Sequence, residues 1–456
     1  MRKKALLAAM MALVLLLSGC ALIVKDEAVD NATEIIRMGD KVITKKEVKD
    51  QIDNVLYQNY QLYSMYGYSY DVTDPDIIAQ AQESAVTALK EDLALTAKIE
   101  ELGITLTDEE QEAVKNAAQE DYDYIVNSAK SYVEGADGMD EEAIAEAAKK
   151  MAEEAGYTIE SYVESETKSK LESKLRDYAI KDVTVTDEEI QAEYDSKVEA
   201  DKEKYTDNAG SWATAANNSS TLYYTPAGVR RVKQILIKFQ DEDKTAIDDA
   251  KTKLNDANTA VTTAQAKVDA AQGTVDTEGI SDEDKAKAEE TLSAAKQELE
   301  DADKALLAAN QAVTEATDKA FANIDEKADA VLAQLAEEGA DWQKIMDENN
   351  EDEGMKDNEK GYAVATGMTN FDAAFVDAAM ALEKIGDISP KTKGSYGYYI
   401  IRYESDEAEG PVALDAVKET LSSSLLTTKQ NDAYEATKAQ WVDEAGIKVD
   451  LNALKD

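Results

Sequence analysis

The stretch that decides the fold is "FVDAAMALEKIGDISPKTKGSYGYYIIRYE", residues 375–404. It reads as an apolar helix, a Gly-x-Ile-Ser turn and a short strand that the chain enters through glycine. Further back, "RRVKQILIKF" (230–239) has the pattern of a strand, and "ADAVLAQLAEEGADWQKIMDENNEDEGM" (328–355) that of a helix and a loop. The predicted order in this half of the chain is therefore strand, helix, loop, helix, strand, strand.

The composition bounds both the architecture and the chemistry. A chain of 456 residues with 43% hydrophobic and 32% charged residues is long enough for two or three soluble domains. Its net charge of −46 repels nucleic acid and anionic bilayers, so no nucleic-acid partner is expected; this charge serves either solubility or a preference for basic or uncharged clients.

The residue types that are missing exclude several classes of site. The chain has no histidine and a single cysteine, Cys20, which excludes His-based triads, ordinary zinc sites and internal disulfides. Neither GxGxxG nor GxxxxGK occurs, and the acidic run "NNEDE" lacks the ligand spacing of an EF-hand loop. We therefore expect no cofactor and no metal.

The first twenty residues have the pattern of a secretory signal. "MRKK" is basic, "ALLAAMMALVLLL" is apolar but too short to span a membrane stably, and "LSGC" ends at Cys20. This ending resembles the bacterial lipobox, which predicts a signal peptide over 1–19, lipidation of Cys20 and a tether over 20–30. The protein would then be extracytoplasmic and anchored to the outer face of a bacterial cell membrane, whereas an ordinary signal peptide with an incidental cysteine would leave it unanchored.

Residues 31–204 are predicted to form a mainly helical lobe. Three capping boxes, in which a threonine is followed three residues later by a glutamate, mark helix starts. They are Thr44/Glu47, Thr107/Glu110 and Thr186/Glu189. The polar stretch 205–227 is predicted to be a linker, with a new domain beginning after Pro226.

The segment "YQNYQLYSMYGYSY" (57–70) within this lobe contains six tyrosines. The first four repeat at near-helical spacing, which is typical of a core or dimer stripe. An aromatic surface that holds unfolded chains is the alternative, because tyrosine offers apolar area with a polar edge.

Residues 247–320 carry two heptad seams rich in alanine, separated by the glycine-containing stretch "GTVDTEGISDED". This pattern predicts an antiparallel coiled-coil hairpin. The C-terminal part reads as a long helix over 412–446 and a strand over 447–451, which we expect to pair with strands in 35–44. Both ends of the chain would then lie in one lobe.

The predicted order of elements in 228–405 resembles the parvulin-type peptidyl-prolyl isomerase domain. The flanking helical segments resemble the chaperone part of PrsA-type foldase lipoproteins, to which the SurA chaperones are related. The resemblance covers about 30–204 and 228–451. It implies an α+β fold: a helical chaperone lobe completed by 406–456, and a parvulin-like domain that carries the coiled-coil hairpin as an insertion over 246–321.

The resemblance also implies a site. The family's two histidine positions fall on Gln234 and Tyr399, and its acidic or cysteine position falls on Asp352; these are the candidate catalytic residues. The positions of the proline pocket fall on Ala363, Phe371 and Phe375, and Met368 would supply the family's methionine if the loop shifts register.

The resulting functional hypothesis is a membrane-anchored foldase or holding chaperone for unfolded, newly secreted polypeptides, with a degenerate parvulin domain. One alternative is an active prolyl isomerase that works without histidine, so enzymatic activity is left open. A second alternative is a structural or adhesive surface lipoprotein that uses the coiled-coil hairpin. Whether the chain forms a homodimer is also left open.

Overall fold

The computed structural model of the protein describes residues 27–133, 135 and 138–454. Within them the chain divides into two units: the first ends at Val185 and resumes at Ser423, and the second is Thr186–Ser422. The predicted signal peptide and Cys20 lie outside the described residues. Within the part that is described, no helix is both long and apolar enough to cross a membrane.

The helices, in chain order, are α1 (Glu27–Asn31), α2 (Lys45–Met65), α3 (Pro75–Leu102), α4 (Asp108–Ala129), α5 (Glu141–Glu154), α6 (Ile159–Ile180), α7 (Asp187–Tyr205), α8 (Ala209–Asn217), α9 (Asp241–Val275), α10 (Asp282–Leu335), α11 (Trp342–Asn349), α12 (Ala373–Ala381) and α13 (Leu414–Glu444). The strands are β1 (Glu34–Met38), β2 (Lys41–Thr44), β3 (Tyr224–Thr225), β4 (Arg230–Lys238), β5 (Tyr362–Val364), β6 (Thr392–Gly394), β7 (Gly397–Asp406), β8 (Gly410–Pro411) and β9 (Lys448–Val449). Short 3-10 turns lie at Lys130–Tyr132, Glu353–Met355 and Leu451–Leu454.

Helices α2, α4 and α7 begin at the predicted capping boxes. Thr44, Thr107 and Thr186 each accept a hydrogen bond from the backbone N–H three residues later, and the glutamate at that position bonds back to the threonine N–H. Each box satisfies two N–H groups that a helix start otherwise leaves unpaired. The three predicted helix starts are confirmed.

The two ends of the chain meet in a small sheet of the first unit. Strand β9 pairs antiparallel with β1, with Val449 opposite Ile36, and β1 pairs antiparallel with β2. Ile35 and Ile36 of the middle strand are buried together with Val48 of α2 and Val86 of α3. The predicted pairing of the C-terminal strand with 35–44 is therefore confirmed, and the lobe is built from both termini.

The second unit is organised around a four-stranded antiparallel sheet in the order β5, β4, β7, β6. Helices α10 and α11 pack on one face, where Ile235 and Ile400 are buried. Helices α8 and α12 pack on the other face, where Leu236 and Tyr399 are buried. The predicted order of elements is confirmed, and the short strand β5 lies within what the sequence suggests is a loop.

The predicted coiled-coil hairpin, called the arm below, is formed by α9 and the first part of α10. The seam residues that are buried between the two helices are Ala250, Ala257, Ala264 and Ala271 on α9, and Ala288, Leu292 and Ala295 on α10. Lys267 and Glu298 form an ion pair across the hairpin. At about 1.5 Å per residue, the 35 residues of α9 span about 50 Å.

The arm and the domain share one continuous helix, because α10 runs for 54 residues without a break. Near the arm base, Asn323 Nδ2 donates to Asp243 Oδ2 at 2.8 Å. The Phe321 ring lies in the core under the sheet, with its centroid 4.9 Å from that of Tyr398 and 4.8 Å from that of Phe239. The predicted insertion, 246–321, thus ends inside the domain core. The sequence could not show this boundary, because a heptad pattern does not reveal where a helix passes from the arm into the domain.

The stretch predicted as a linker, 205–227, instead contains helix α8. Trp212 of α8 is buried in the core of the second unit, where its Nε1 donates to the Tyr224 carbonyl oxygen at 2.7 Å. Asn217 makes two hydrogen bonds to the backbone of Ala363 in edge strand β5, both 2.8 Å long. The polar composition of the stretch gives no sign that α8 packs in the core. Trp212 is the one large apolar side chain of this helix.

The arm should be removable without loss of the fold if the cut preserves its base. Replacing 252–314 by a short glycine-rich loop should leave cooperative unfolding intact, with a Tm within about 5 °C of the wild type, because the distal seam contacts only itself. Thermal unfolding followed by circular dichroism measures this.

The matched comparison is a deletion of 246–321. That deletion also removes Phe321 from the core, which should cost about 3 to 5 kcal/mol more than the shorter one. Equal stability of the two variants, or loss of cooperative unfolding in the shorter one, would contradict this account of the arm base.

Candidate active site

The candidate site lies on the face of the sheet that α8 and α12 cover. It consists of two carboxylates, Asp352 and Asp372, with a set of aromatic rings between them. Asp352 opens the 3-10 turn after α11, and Asp372 is the N-cap of α12. The sequence predicts the first carboxylate but not the second.

Asp352 is the centre of a hydrogen-bond network that includes Gln234, one of the two positions where the resemblance predicts a histidine. Gln234 Nε2 donates to Asp352 Oδ2 at 2.7 Å, and the Tyr362 hydroxyl donates to the same oxygen at 2.9 Å. The other oxygen, Oδ1, accepts from the Gly354 N–H at 3.0 Å. Burial and the negative charge of Asp352 raise the pKa of Tyr362 well above its usual range, so this phenol stays a donor.

The loop that carries Asp352 is held against strand β4. Asn350 Oδ1 accepts from the N–H of Leu236 at 2.9 Å and from that of Asp352 at 3.1 Å. The Glu351 N–H donates to the Leu236 carbonyl oxygen at 3.0 Å. The carboxylate therefore has a fixed position relative to Gln234, which lies two residues earlier on the same strand.

The Gln234 side-chain oxygen, Oε1, is an acceptor with no hydrogen-bond partner in the described part of the chain. The Gln234 side chain is only 6% exposed. The orientation of the amide is determined by chemistry, because only the NH2 group can donate to the Asp352 carboxylate. A buried acceptor that lacks a donor is costly and is often associated with function.

Asp372 is the centre of the second network. Its Oδ2 accepts from the Tyr399 hydroxyl at 3.0 Å and from the Ser395 N–H at 2.5 Å, and its Oδ1 accepts from the Ala374 N–H at 2.9 Å. Desolvation acts to raise the pKa of Asp372, but these hydrogen bonds outweigh it and the pKa is lowered. Burial, together with the Asp372 charge, raises the pKa of Tyr399 beyond its usual range.

The rings between the two carboxylates pack against each other. The centroid of Phe375 lies 5.6 Å from those of Phe371 and Tyr399 and 6.3 Å from that of Tyr362. The centroids of Tyr362 and Phe371 are 5.0 Å apart at an interplanar angle of 86°. Edge-to-face contacts of this kind stabilise a cluster beyond its buried area.

The predicted pocket positions are therefore mostly part of the core. Phe375 and Tyr399 are each 3% exposed and Ala363 is 0% exposed, while Phe371 is half-buried above them. Met368 is 6% exposed beside α8, whose Gly210 leaves no room for a Cβ against the backbone of residues 367–368. The geometry brings together Gln234 with Asp352 and Phe371 with Phe375 and Tyr399; their roles toward a substrate stay a prediction.

Sequence reasoning missed Tyr362, Asp372 and Ser395. Asp372 was detectable, because an aspartate directly before an apolar helical run is an N-cap signal. The other two gave no local signal, since Tyr362 faces Asp352 only through strand pairing and Ser395 contributes a backbone N–H. Among the described residues, no group of three or more acidic, histidine or cysteine side chains is arranged to hold a metal ion.

The two buried phenols should make stability depend on alkaline pH. Their pKa values are raised in the folded state, so the unfolded chain loses these protons first; the stability they contribute is complete below pH 10 or so and is lost as the pH rises through their folded pKa values. The variant Tyr362→Phe/Tyr399→Phe should lose less stability between about pH 10 and pH 11, by up to about 1.4 kcal/mol for each phenol.

Urea unfolding across this pH range measures the effect. The matched control is Tyr124→Phe/Tyr132→Phe, which alters two exposed phenols and should keep the wild-type slope. A wild-type slope in the core variant would mean that neither phenol is held protonated by the fold.

Comparison with known proteins finds a family match in the part of the chain that contains the candidate site. Residues 306–405 match the family model of the PPIC-type PPIase (rotamase) domain. The match begins inside α10 and leaves out β4, which the arm separates from the rest of the domain.

Curated relatives match only part of their own length. Over 134 residues the chain is 34% identical to foldase protein PrsA 2 of Listeria innocua, covering 29% of this chain and 45% of that protein. Over 111 residues it is 35% identical to foldase protein PrsA of Clostridium botulinum, covering 24% of this chain and 32% of the relative.

Two solved structures align with 93% of this chain: foldase protein PrsA from Streptococcus pneumoniae, over 97% of its length, and PrsA from Bacillus subtilis, over 98% of its length. Each alignment has 17% sequence identity and a TM-score of 0.20. The resemblance to PrsA-type foldases is confirmed by the domain match and the curated relatives, and the part of the second unit over 306–405 is similar to the PPIC-type peptidyl-prolyl isomerase domain.

Proposed function

We propose that the protein is an extracytoplasmic foldase that holds newly secreted polypeptides while they fold, and that its parvulin domain is degenerate as a catalyst. The single observation that carries the second part is the closed aromatic cluster at the pocket positions. Similarity to PrsA foldases supports the first part, because those relatives are named for assisting folding.

The closed cluster matters because of what prolyl isomerisation requires. The reaction breaks no bond but crosses a rotational barrier of roughly 20 kcal/mol, so a site accelerates it by binding the twisted amide in an apolar cleft. Phe375, which would form the wall of that cleft, is covered by the rings of Phe371 and Tyr399. A proline ring would have to displace them.

The donors of the site are also occupied. The hydroxyls of Tyr362 and Tyr399 both donate to carboxylates rather than toward an open cleft. Stabilising the carbonyl oxygen of a twisted amide would require breaking one of these charge-assisted bonds, which are about twice as strong as neutral ones. The packed geometry thus favours binding without isomerisation.

An active isomerase without histidine is the second candidate, and one observation favours it. Within the described residues, Gln234 Oε1 beside Asp352 is an acceptor that no donor reaches. A substrate N–H could supply that donor if Phe371 moves aside. The predicted lipid on Cys20 would keep either form of the protein at the membrane surface.

Two assays on one sample separate these functions. Suppression of aggregation of a chemically unfolded secreted protein tests holding, and NMR exchange of X-Pro peptides tests isomerisation. Suppression without exchange is the expected result. Exchange would support the active isomerase instead, and the absence of both activities would support a structural or adhesive role for the arm.

Restoring the two histidines should not restore catalysis by itself. We expect Gln234→His/Tyr399→His to show no more exchange than the wild type, because Phe371 still covers the pocket. Adding Phe371→Met, the residue type of the family at that position, should uncover Phe375 and raise the exchange rate by at least about tenfold, or about 1.4 kcal/mol of transition-state stabilisation.

The single variant Phe371→Met is the matched control, since it opens the pocket without histidine. A double-histidine variant that is already active would show that the rings do not block the site. Circular dichroism checks that each variant keeps the wild-type fold, so that the exchange rates of the variants can be compared.

A further inference from the structure

The tip of the helical hairpin formed by α2 and α3 differs in composition from the rest of this highly charged chain. Between Lys49 and Lys90 there is no basic residue, and residues 54–70 carry no charged side chain at all. The acidic residues on either side of that uncharged stretch are Asp50, Asp53, Asp71, Asp74, Asp76 and Glu83. The tip is therefore an uncharged aromatic segment with acidic flanks.

The structure exposes this segment to solvent. No residue between Leu56 in α2 and Ala81 in α3 is buried. The large side chains that face solvent, with their exposed fractions, are Tyr57 (44%), Tyr60 (41%), Leu62 (48%), Tyr63 (44%), Met65 (71%), Tyr66 (67%) and Tyr68 (68%). These seven side chains are called the tyrosine tip below. A contiguous exposed set of this kind marks an interaction surface more often than chance exposure.

The tyrosine tip is held in one conformation by its own contacts. Tyr70 folds back on Tyr63, with ring centroids 4.9 Å apart, and its hydroxyl accepts from Asn59 Nδ2 at 3.2 Å. The Tyr68 N–H donates to the Tyr63 carbonyl oxygen at 2.9 Å. These contacts fix the backbone turn and the Tyr63 ring, which reduces the entropy that this part of the tip loses on binding.

The acidic flanks are ordered as well. Asp71 accepts from the Thr73 N–H at 2.9 Å, and Asp74 caps α3 by accepting from the Asp76 N–H at 2.8 Å. At the other end of the tip, partial desolvation and the charge of Asp50 raise the pKa of Asp53. Lys46 pairs with Asp50 at 2.5 Å on the α2 side, whereas the sequence from Asp71 to Glu83 on the α3 side contains acidic residues and no basic one.

We propose that the tyrosine tip binds extended segments of unfolded polypeptides in which aromatic or aliphatic residues alternate with lysine or arginine. This inference rests on the proposed holding function and names the client class. Tyrosine faces attract both apolar side chains and cations, and the flanking carboxylates add attraction for the latter. Acidic segments are rejected by the same potential.

The charge of the chain disfavours the other occupants. A second copy would bring a further net charge of −46 to the same surface, and an anionic bilayer would be repelled in the same way. An unfolded segment with basic residues is the partner whose charge complements the surface.

Three labelled peptides test the client class. They share the same tyrosine and leucine positions and differ only in carrying lysine, serine or glutamate between them. With the full chain carrying Cys20→Ser, so that no lipid interferes, the lysine peptide should bind at least about tenfold more tightly than the glutamate peptide, and this preference should shrink with added salt.

Two sets of variants locate the surface. Tyr60→Ser/Tyr66→Ser/Tyr68→Ser should weaken binding of the lysine peptide about tenfold, because exposed anchoring rings are lost. The matched control alters three exposed tyrosines elsewhere in the same unit, Tyr124→Ser/Tyr132→Ser/Tyr178→Ser, and should bind within about twofold of the wild type.

The charge contribution has its own pair of variants. Asp71→Asn/Asp74→Asn/Asp76→Asn keeps the turn and the helix cap, since asparagine accepts the same hydrogen bonds. It should reduce the preference for lysine over serine by at least about threefold. The control Glu141→Gln/Glu142→Gln/Glu160→Gln changes first-turn acids of α5 and α6 and should leave that preference unchanged.

The outcomes separate this inference from the proposed function. If the tip variants bind every peptide like the wild type while aggregation is still suppressed, the holding function stands and the tyrosine tip is not its site. If the wild type neither suppresses aggregation nor binds any peptide, both proposals fail. Equal binding of the three peptides overturns the client class.

Binding of a second copy or of a membrane surface at the tyrosine tip would give different experimental results. If sedimentation velocity shows a dimer that the tyrosine variant abolishes, the tip binds a second copy and the inference is overturned. Flotation of the Cys20→Ser chain with phosphatidylcholine vesicles that depends on the same tyrosines would overturn it in favour of a membrane surface.

Discussion

The pairing of β4 with β7 is the constraint on which the second unit depends. It runs from Arg230 opposite Asp406 to Lys238 opposite Gly397, and the two strands form the middle of the sheet. The whole arm lies between these strands in sequence, yet the arm folds back on itself and its ends meet near Asp243 and Asn323. The closed arm therefore takes about half of the intervening sequence out of the effective loop, which lowers the loop-closure cost of the pairing by about 0.6 kcal/mol.

The same pairing positions the chemistry of the site. Because side chains alternate along a strand, one register places both Gln234 and Tyr399 on the face that α12 covers. A slip of either strand by one residue would move that strand's residue, Gln234 or Tyr399, to the opposite face, against α10 and α11. The register that builds the core is thus also the one that builds the two carboxylate networks.

A phenol and an amide, at the positions where the resemblance predicts histidines, give the site a constant protonation state near neutral pH. The lowered pKa of Asp372 keeps that group charged, and the raised pKa of Tyr399 keeps its hydroxyl neutral. No group of the histidine type is present to change charge between about pH 6 and pH 8. The hydrogen bond between the charged Asp372 and the neutral Tyr399 hydroxyl therefore persists without a pH-dependent cost in that range.

Local signals in the sequence were sufficient where one short pattern decides the structure. The capping boxes, the alanine seam of the arm and the partner of the C-terminal strand were all predictable from a few residues each. The failures share a different cause: α8 depends on one tryptophan finding a distant core, and Tyr362 meets Asp352 only through strand pairing. Phe371 was predictable as a pocket position, but that its ring covers Phe375 follows from packing that no local pattern encodes.

Because α10 is continuous, the arm and the helix segment that packs against the sheet belong to one helix. From Asp282 to Ala320 the helix extends for about 58 Å, and beyond that point Phe321, Ile324 and Ala328 lie directly under the central strands. Because the helix is continuous, a tilt of about 5° about its buried end corresponds to a displacement of about 5 Å at Asp282. One helix of the second unit therefore has its C-terminal part packed against the central strands and its N-terminal part in the arm.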